Sequence, residues 1–399
     1  MNEMQIFFRK ILFAVIIFLG SSFVWAGCDL LIVAYDNGDA LAMKAVTQEL
    51  DLRIKKGEKF NYKILAFGNS AAKFEAHPHL LEVKNCEGFS TKLPLKWKRN
   101  SIFPEETIDC IVKSADPKKL MIGLASFLQA QFAQKASKKN IETIGFYDAF
   151  HNPSDLTNDF DVTVREVVKS VNNIIVPYQA LRESFQNLNS RAAIHVLGQP
   201  TYETWTQDVE KYSPENTLKK LGYAQQRPSQ VIVFSGGYDD VYKKSFENIL
   251  VKALPLLKNT EILITLHPKL KTDDSYEKSR IGDYKNVRVL LPRTPENPDG
   301  FTTEEVSGVA DVIVCVRSTT GIKAALAGQP VVYIDVDPEN YTNPLIEKGV
   351  VSQVSTPEAL IQALNRVHKS QKTIEQLAKQ IEMPVHADKK IADYLIEER

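Results

Sequence analysis

Three short stretches of the chain collect the residue types from which an anion site is built. The densest is Val316-Arg317-Ser318-Thr319-Thr320-Gly321, which leaves an apolar run and opens a segment containing Ala324, Ala325 and Ala327 before Gly328-Gln329-Pro330. Hydroxyls and unpaired amides converging on one helix start suit a phosphate or pyrophosphate. A helix cap needs only one hydroxyl, so Ser318 or Thr319 also reads as an N-cap. The second stretch is His267-Pro268-Lys269, directly after the apolar run Glu261 to Leu266. There an imidazole and an ammonium emerge side by side, both able to donate hydrogen bonds to phosphate oxygens. The third is Ser235-Gly236-Gly237, followed by Tyr238-Asp239-Asp240. Paired glycines let a backbone approach a ligand closely, and they serve equally well in a tight turn.

Acid-base chemistry has a separate source. The run Ile144-Gly145-Phe146 ends in Tyr147-Asp148-Ala149-Phe150-His151-Asn152, placing a carboxylate and an imidazole after one strand. Asp148 has the reach of a general base toward an acceptor hydroxyl if it faces a cleft, and it also reads as a turn or capping residue. Asp36, Asn37 and Gly38 form the matching loop after the first strand, and His151 belongs to the same side. No cluster has metal-ligand spacing, so no metal and no resident cofactor is expected.

Short apolar strands alternating with amphipathic helices must position these groups. In the first half the strands are Leu30 to Ala34, Tyr62 to Gly68, Ile108 to Val112 and Ile141 to Phe146, with a long helix from about Leu120, and then Asn173 to Pro177 and Ala192 to Leu197. The stretch from Gln199 to Pro228 is polar and carries Pro200, Pro214 and Pro228, with one short helix expected near Thr217 to Leu221. A second series follows, with strands at Gln230 to Phe234, Glu261 to Leu266, Val287 to Leu291, Asp311 to Val316 and Pro330 to Ile334. Its helices are expected near Val241 to Leu257, Thr303 to Ala310, Gly321 to Ala327 and Pro357 to Val367. This pattern predicts an α/β fold of two Rossmann-like, doubly wound parallel-sheet domains facing a cleft. Ligands of such sheets gather at the carboxyl ends of the strands, where the three anion stretches and Asp148 all fall.

The ends and the composition bound the rest. Arg9 and Lys10 precede an apolar run from Ile11 to Leu19, which passes through Gly20-Ser21-Ser22 to Ala26. That is the order of a secretory signal, and an exported, periplasmic or membrane-tethered protein is expected. Ala26-Gly27-Cys28 resembles a bacterial lipobox, with Cys28 as the lipid acceptor, and it equally fits ordinary cleavage after Ala26. About 370 of the 399 residues follow, enough for two domains. The 49 basic and 49 acidic residues balance, so no nucleic-acid surface is expected. In an oxidising compartment Cys86 can bridge Cys110, while Cys315 sits in an apolar run as a small hydrophobe.

These residues resemble the glycosyltransferase-B superfamily, which includes UDP-N-acetylglucosamine 2-epimerases, bacterial sialyltransferases and glycerophosphotransferases. The similarity rests on Ile32 to Leu50, Val196-Leu197-Gly198-Gln199-Pro200, His267-Pro268 and, above all, Ser318 to Ile334. It implies that His267, Ser318, Thr319 and Thr320 hold a donor's phosphates, and the residue types of Ser235, Gly236, Gly237, Lys269 and Gly321 place them in the same expected site. The acidic-Gly motif of some sialyltransferases is similar to Tyr147-Asp148-Ala149, with Ala149 in the place of glycine. The epimerases' Asp-Ser-Gly-Gly and His-Val-Glu-Ala-Gly read here as Ser318-Thr319-Thr320-Gly321 and Gly145-Phe146-Tyr147-Asp148-Ala149. The resemblance therefore implies a transferase rather than an active epimerase. The organisation expected is a signal over residues 1–27, an acceptor domain over 28–200, a linker over 201–228 and a donor domain over 229–370, and the resemblance adds a helix crossing back over 371–399.

The function expected is a glycosyltransferase using a nucleotide-activated or lipid-linked sugar on a surface glycan or lipid acceptor, with the sugar nucleotide as co-substrate. The competing expectation is a non-catalytic exported receptor for a glycan or phosphorylated ligand, because sugar nucleotides are made in the cytoplasm and a signal segment sends the chain away from them.

Overall fold

The computed structural model describes residues 27–397 except Lys84 and residues 92–101, 155–158, 224–226, 258, 268–269, 271–272, 295–296, 338–340 and 368. The segment expected to be a secretory signal, up to Ala26, and the Pro268-Lys269 pair lie outside the described residues.

Strands β1 (Leu30–Ala34), β2 (Tyr62–Ala66), β3 (Lys119–Gly123), β4 (Glu142–Phe146), β5 (Asn173–Val176) and β6 (Ala193–Val196) form one sheet in the order β2-β1-β3-β4-β5-β6. Strands β7 (Val231–Ser235), β8 (Glu261–Thr265), β9 (Val287–Leu290), β10 (Val312–Cys315), β11 (Val331–Ile334) and β12 (Ser352–Val354) form the other in the order β9-β8-β7-β10-β11-β12. All pairings are parallel, for example Leu30 beside both Tyr62 and Lys119, and Cys315 beside Ser235. Central strands such as β1 and β7 are buried along their whole length, which is why they read as continuous apolar runs rather than alternating ones. Strand order reverses between β1 and β3 in one sheet and between β7 and β10 in the other, so a crevice opens beyond those strand ends.

In the first half, helices α1 (Asn37–Lys55), α2 (Glu105–Ala115), α3 (Phe127–Lys138) and α4 (Asp159–Val167) cover the sheet. Two of the expected elements differ here. Ile108 to Val112 is not a strand but the middle of α2, where Thr107, Ile108, Ile111, Val112 and Ala115 form one buried helical face and Glu105 and Glu106 occupy the first turn. Leu120 begins no helix; it lies in β3, and the helix starts at Phe127, capped by Ser126.

The stretch expected to be a polar linker is largely helical. Residues Pro200–Tyr202 form a 3-10 turn, and α5 (Trp205–Glu210) and α6 (Pro214–Lys220) follow. Tyr202 stacks edge-on against Phe150 at 4.3 Å, and the Trp205 indole donates to Gln329 Oε1 at 2.9 Å. One apolar cluster therefore runs from beneath the first sheet through Tyr202 and Trp205 to Cys315, Ile322, Tyr333 and Tyr341 of the second half.

In the second half α7 (Asp240–Ser245) follows β7 and runs on as a π-turn over Phe246–Val251, α8 (Thr303–Ser307) precedes β10, and α9 (Thr319–Leu326) follows it. The chain ends in α10 (Ala387–Ile396), which returns to the first sheet. Ile391, Ala392 and Leu395 bury against Leu30, Ile32 and Ala40, and Arg53 of α1 pairs with Asp393. No described helix is long and apolar enough to cross a membrane.

Candidate functional site

At the carboxyl end of β4, the Tyr147 amide still bonds to the Ile175 carbonyl, so Asp148 is the first residue to leave the sheet. Its carboxylate sits over Gly38, where a Cβ would stand 1.9 Å from Asp148 Oδ2. Only a glycine allows that approach. Asp36, just before, caps α1 by accepting from the Asn37 amide at 2.8 Å, and it also accepts from the Asn69 side chain at 3.2 Å. Asn37 thus spends its amide inside the turn. Burial, with the Asp36 charge adding to it, pushes the Asp148 carboxyl up to about 6, while Lys323 and His151 pull the other way.

Two carboxylates missed in the sequence complete this side. Asp39 is wholly buried one turn into α1 and accepts from the Gln129 side chain at 2.7 Å; its other oxygen has no partner among the described residues. Burial, then the Asp148 and Asp36 charges, push it well above the usual carboxylate range. Asp161 on α4, also wholly buried, lies 2.6 Å from His151 Nε2 and orients that ring. The Tyr147 hydroxyl donates to the His151 carbonyl at 2.7 Å, and Tyr341 of the second half lies 6.0 Å from the His151 ring.

Across the crevice, Ser318 caps α9 by accepting from the Thr320 amide at 3.2 Å, and its carbonyl takes the Tyr333 hydroxyl at 2.9 Å. The Gly321 amide bonds to the same carbonyl. Thr319 is exposed and Thr320 half-buried, so their hydroxyls are the ones presented at the helix start. Gly321 has a packing role: a Cβ there would meet Cys315 Sγ at 2.4 Å and the Tyr333 hydroxyl at 2.6 Å, and its absence seats α9 on the sheet. Arg317 turns away from this helix start. It holds a left-handed backbone (φ 46) and its guanidinium grips Asp335 at 2.5 and 3.2 Å.

The Gly-Gly loop is partly spent on itself. Ser235 is buried at the end of β7, the Gly236 amide donates to the Thr265 carbonyl at 2.8 Å, and Gly237 lies against the Tyr242 ring. Asp239 caps α7 through the Tyr242 amide. What the loop presents outward is Tyr238, 45% exposed, whose ring lies 4.6 Å from that of His267 at the end of β8.

The two sides are linked by Lys323 on α9. Burial pulls its ammonium below the ordinary lysine value, while the charges of Glu304, Asp208 and Asp148 oppose that shift. Lys323 and Asp148 each feel the other across the crevice. The structure therefore brings Asp36, Gly38, Asp148 and His151 together at one wall, and sets the Ser318-Thr320 helix start and the Gly236-His267 loops at the other. No cluster of three or more metal-ligating side chains stands among the described residues.

Cys315 is buried at the end of β10, packed under Gly321, and the other three cysteines lie apart from the crevice. Cys86 and Cys110 are bonded, with Cα atoms 5.6 Å apart. Cys28 is wholly buried under the first sheet, its amide on the Ala115 carbonyl, and burial pushes its thiol up to about 11. A lipid on that sulfur requires the chain before β1 to leave this place.

No protein-family model matches the chain, and no curated protein matches its sequence. Solved structures do match. UDP-GlcNAc 2-epimerase from Neisseria meningitidis bound to UDP-GlcNAc aligns with 92% of this chain and 100% of its own at 15% identity and a TM-score of 0.60. The Methanocaldococcus jannaschii UDP-GlcNAc 2-epimerase aligns over 92% and 99% at 13% identity and a TM-score of 0.63. A wall teichoic acid polymerase, TagF, aligns over 92% and 88% at 12% identity and a TM-score of 0.52. At such identities the likeness is one of fold, and with two six-stranded parallel sheets meeting at a crevice the chain has the GT-B fold of two Rossmann-like domains.

Proposed function

We propose that the chain is a GT-B-type glycosyltransferase that moves a sugar from a nucleotide-activated or lipid-linked donor to a glycan or lipid acceptor of the cell envelope. The observation that carries this reading is Asp148, a carboxyl pushed up to about 6 at a strand end, opposite a lysine and a hydroxyl-lined helix start. A base of that strength is ionised at neutral pH and still a competent proton acceptor. In the transfer, the acceptor oxygen bonds to the anomeric carbon as its proton passes to Asp148. The bond from that carbon to the donor phosphate oxygen breaks, and its electron pair leaves with the phosphate. Thr319, Thr320 and His267 stabilise that departing charge. The sugar nucleotide enters as co-substrate. Support for it comes from neighbours in fold whose structures hold UDP-GlcNAc or UDP.

The Cys86–Cys110 bond favours an oxidising compartment, in line with an exported, membrane-tethered protein. In that location the donor is lipid-linked or delivered across the membrane. A second reading, a receptor that keeps the cleft without turnover, is favoured by the Gly236 amide and the Ser318 hydroxyl being spent within the protein.

Calorimetric titration of UDP, CMP and CDP into the full-length protein separates the two. Binding of one nucleotide, weakened at least tenfold in the His267→Ala, Thr319→Ala double variant, is the expected result. No nucleotide binding, or binding untouched by the double change, overturns the transferase.

A further inference from the structure

Beside the Asp148 wall, a cavity of about 620 Å³ opens between α1 of the first half and α5, α8 and α9. Four lysines, Lys44, Lys73, Lys211 and Lys323, line it against two carboxylates, Asp208 and Glu304. Lys211 is paired with Asp208 at 2.6 Å. Among the described residues, no ion pair or hydrogen bond engages the ammonium of Lys44, Lys73 or Lys323. Elsewhere on the surface lysines do find carboxylates, as Lys135 does with Asp109 and Lys278 with Asp274.

Unpaired like charges facing one hollow repel each other and raise the local concentration of anions there. Lysine ammonium groups are compact point charges with three donors each on flexible stems, and they bind phosphate oxygens in that form. The cavity also has an apolar side. Leu41, 40% exposed, and the half-buried Tyr212 line it, with the buried Trp205 behind them, giving an apolar edge beside the lysines. Lys323 lines this cavity and is also close enough to Asp148 to act on its charge, so one side chain links the hollow to the carboxylate.

We propose that this cavity is the acceptor site and takes a phosphate-bearing acceptor, its phosphate held by Lys44 and Lys73 while a hydroxyl of the same molecule reaches Asp148. The assignment of acceptor rests on the transferase reading; the anion site itself does not. Phosphate of a lipid headgroup and phosphate of a soluble glycan share the required chemistry.

The test uses the full-length protein and its Lys44→Ala, Lys73→Ala double variant. Both side chains lie on helical surfaces, Lys44 half-buried and Lys73 exposed, and removing them leaves the core intact. Inorganic pyrophosphate is titrated by calorimetry with and without excess UDP, and lysine acetylation read by mass spectrometry reports which amines the ligand protects. Pyrophosphate is expected to bind with UDP present, to protect Lys44 and Lys73 at least fivefold, and to bind the double variant at least tenfold more weakly while UDP affinity is unchanged. No pyrophosphate binding, no protection of these two lysines, or equal affinity in the double variant overturns the proposal. Failure of UDP, CMP and CDP alike to bind while pyrophosphate still protects Lys44 and Lys73 overturns the donor reading and leaves the anion site standing. Sedimentation with phosphatidylglycerol vesicles that is lost in the double variant assigns a lipid source; pyrophosphate binding without sedimentation assigns a soluble one, and each supports the site.

Discussion

Asp148 Oδ2 occupies the space that a side chain at position 38 would need, 1.9 Å from where a Cβ on Gly38 would stand. The carboxylate and the first turn of α1 are thus fitted to each other, although 110 residues of sequence separate them.

Replacing Gly38 by alanine tests that fit. Alanine favours the helix by about 0.5–1 kcal/mol, but the added methyl must displace the carboxylate at a cost of about 1–3 kcal/mol. The expected outcome is a folded protein with turnover reduced at least ~100-fold, as for loss of a general base. In a double-mutant cycle Gly38→Ala and Asp148→Asn are non-additive, the pair being no worse than Asp148→Asn alone.

The raised Asp148 carboxyl sets a pH dependence with a definite sign. Its folded value, about 6, lies above the ordinary 3.8, so folding favours the protonated form. That contribution to stability is full below the ordinary value and is lost as pH rises through about 6. The full shift corresponds to about 3 kcal/mol, and partial solvent access reduces it to about 1–2. Asp148→Asn is therefore expected to stabilise the protein above pH 7 by about 1–2 kcal/mol in denaturant unfolding while activity is lost. In the unmodified protein, activity falls as pH drops through about 6, read as the acidic limb of kcat/KM.

The Cys86–Cys110 bond closes a loop with a sequence separation of 24. In the chain-entropy account a loop of that size contributes about 3.5 kcal/mol. Reductant, or Cys110→Ser, is expected to lower the thermal midpoint with little effect on nucleotide binding, since the bond lies away from the crevice. An unchanged midpoint would show that the bond does not form in solution.

The C-terminal helix binds the chain's end to its beginning. Leu395 is wholly buried beneath the first sheet, so Leu395→Ala is expected to destabilise by about 2–5 kcal/mol in urea unfolding. Leu256→Ala, at a side chain 60% exposed, serves as the control and should change little.

The alternation of apolar runs and helices was enough to read two parallel sheets, because strands buried on both faces leave unbroken apolar stretches. It was not enough around residues 105–123. Ile108, Ile111 and Val112 satisfy a helical face as well as an apolar run, and only packing against the first sheet makes α2 a helix and Lys119–Gly123 a strand. The polar, proline-bearing stretch after Gln199 looked like a linker because its buried anchors, Tyr202 and Trp205, are single residues whose partners Phe150 and Gln329 lie far along the chain.

The same division runs through the site. Asp148, His267 and the Ser318-Thr320 turn were legible as candidates because chemistry-bearing residues directly follow apolar strands, and parallel sheets put those ends on one side. Asp39, Asp161 and Lys323 were not. Each lies inside a helix, where a charged residue ordinarily means a solvated face, and nothing local distinguishes a buried one. Their roles come from desolvation and from charges brought near by folding: Asp36 beside Asp148, His151 against Asp161, Lys323 across the crevice. The amino-acid order by itself determined which loops carry reactive groups. Tertiary structure decided which of those groups meet and how far burial shifts their protons, because electrostatic strength depends on distance and on exclusion of water, and a linear sequence specifies neither.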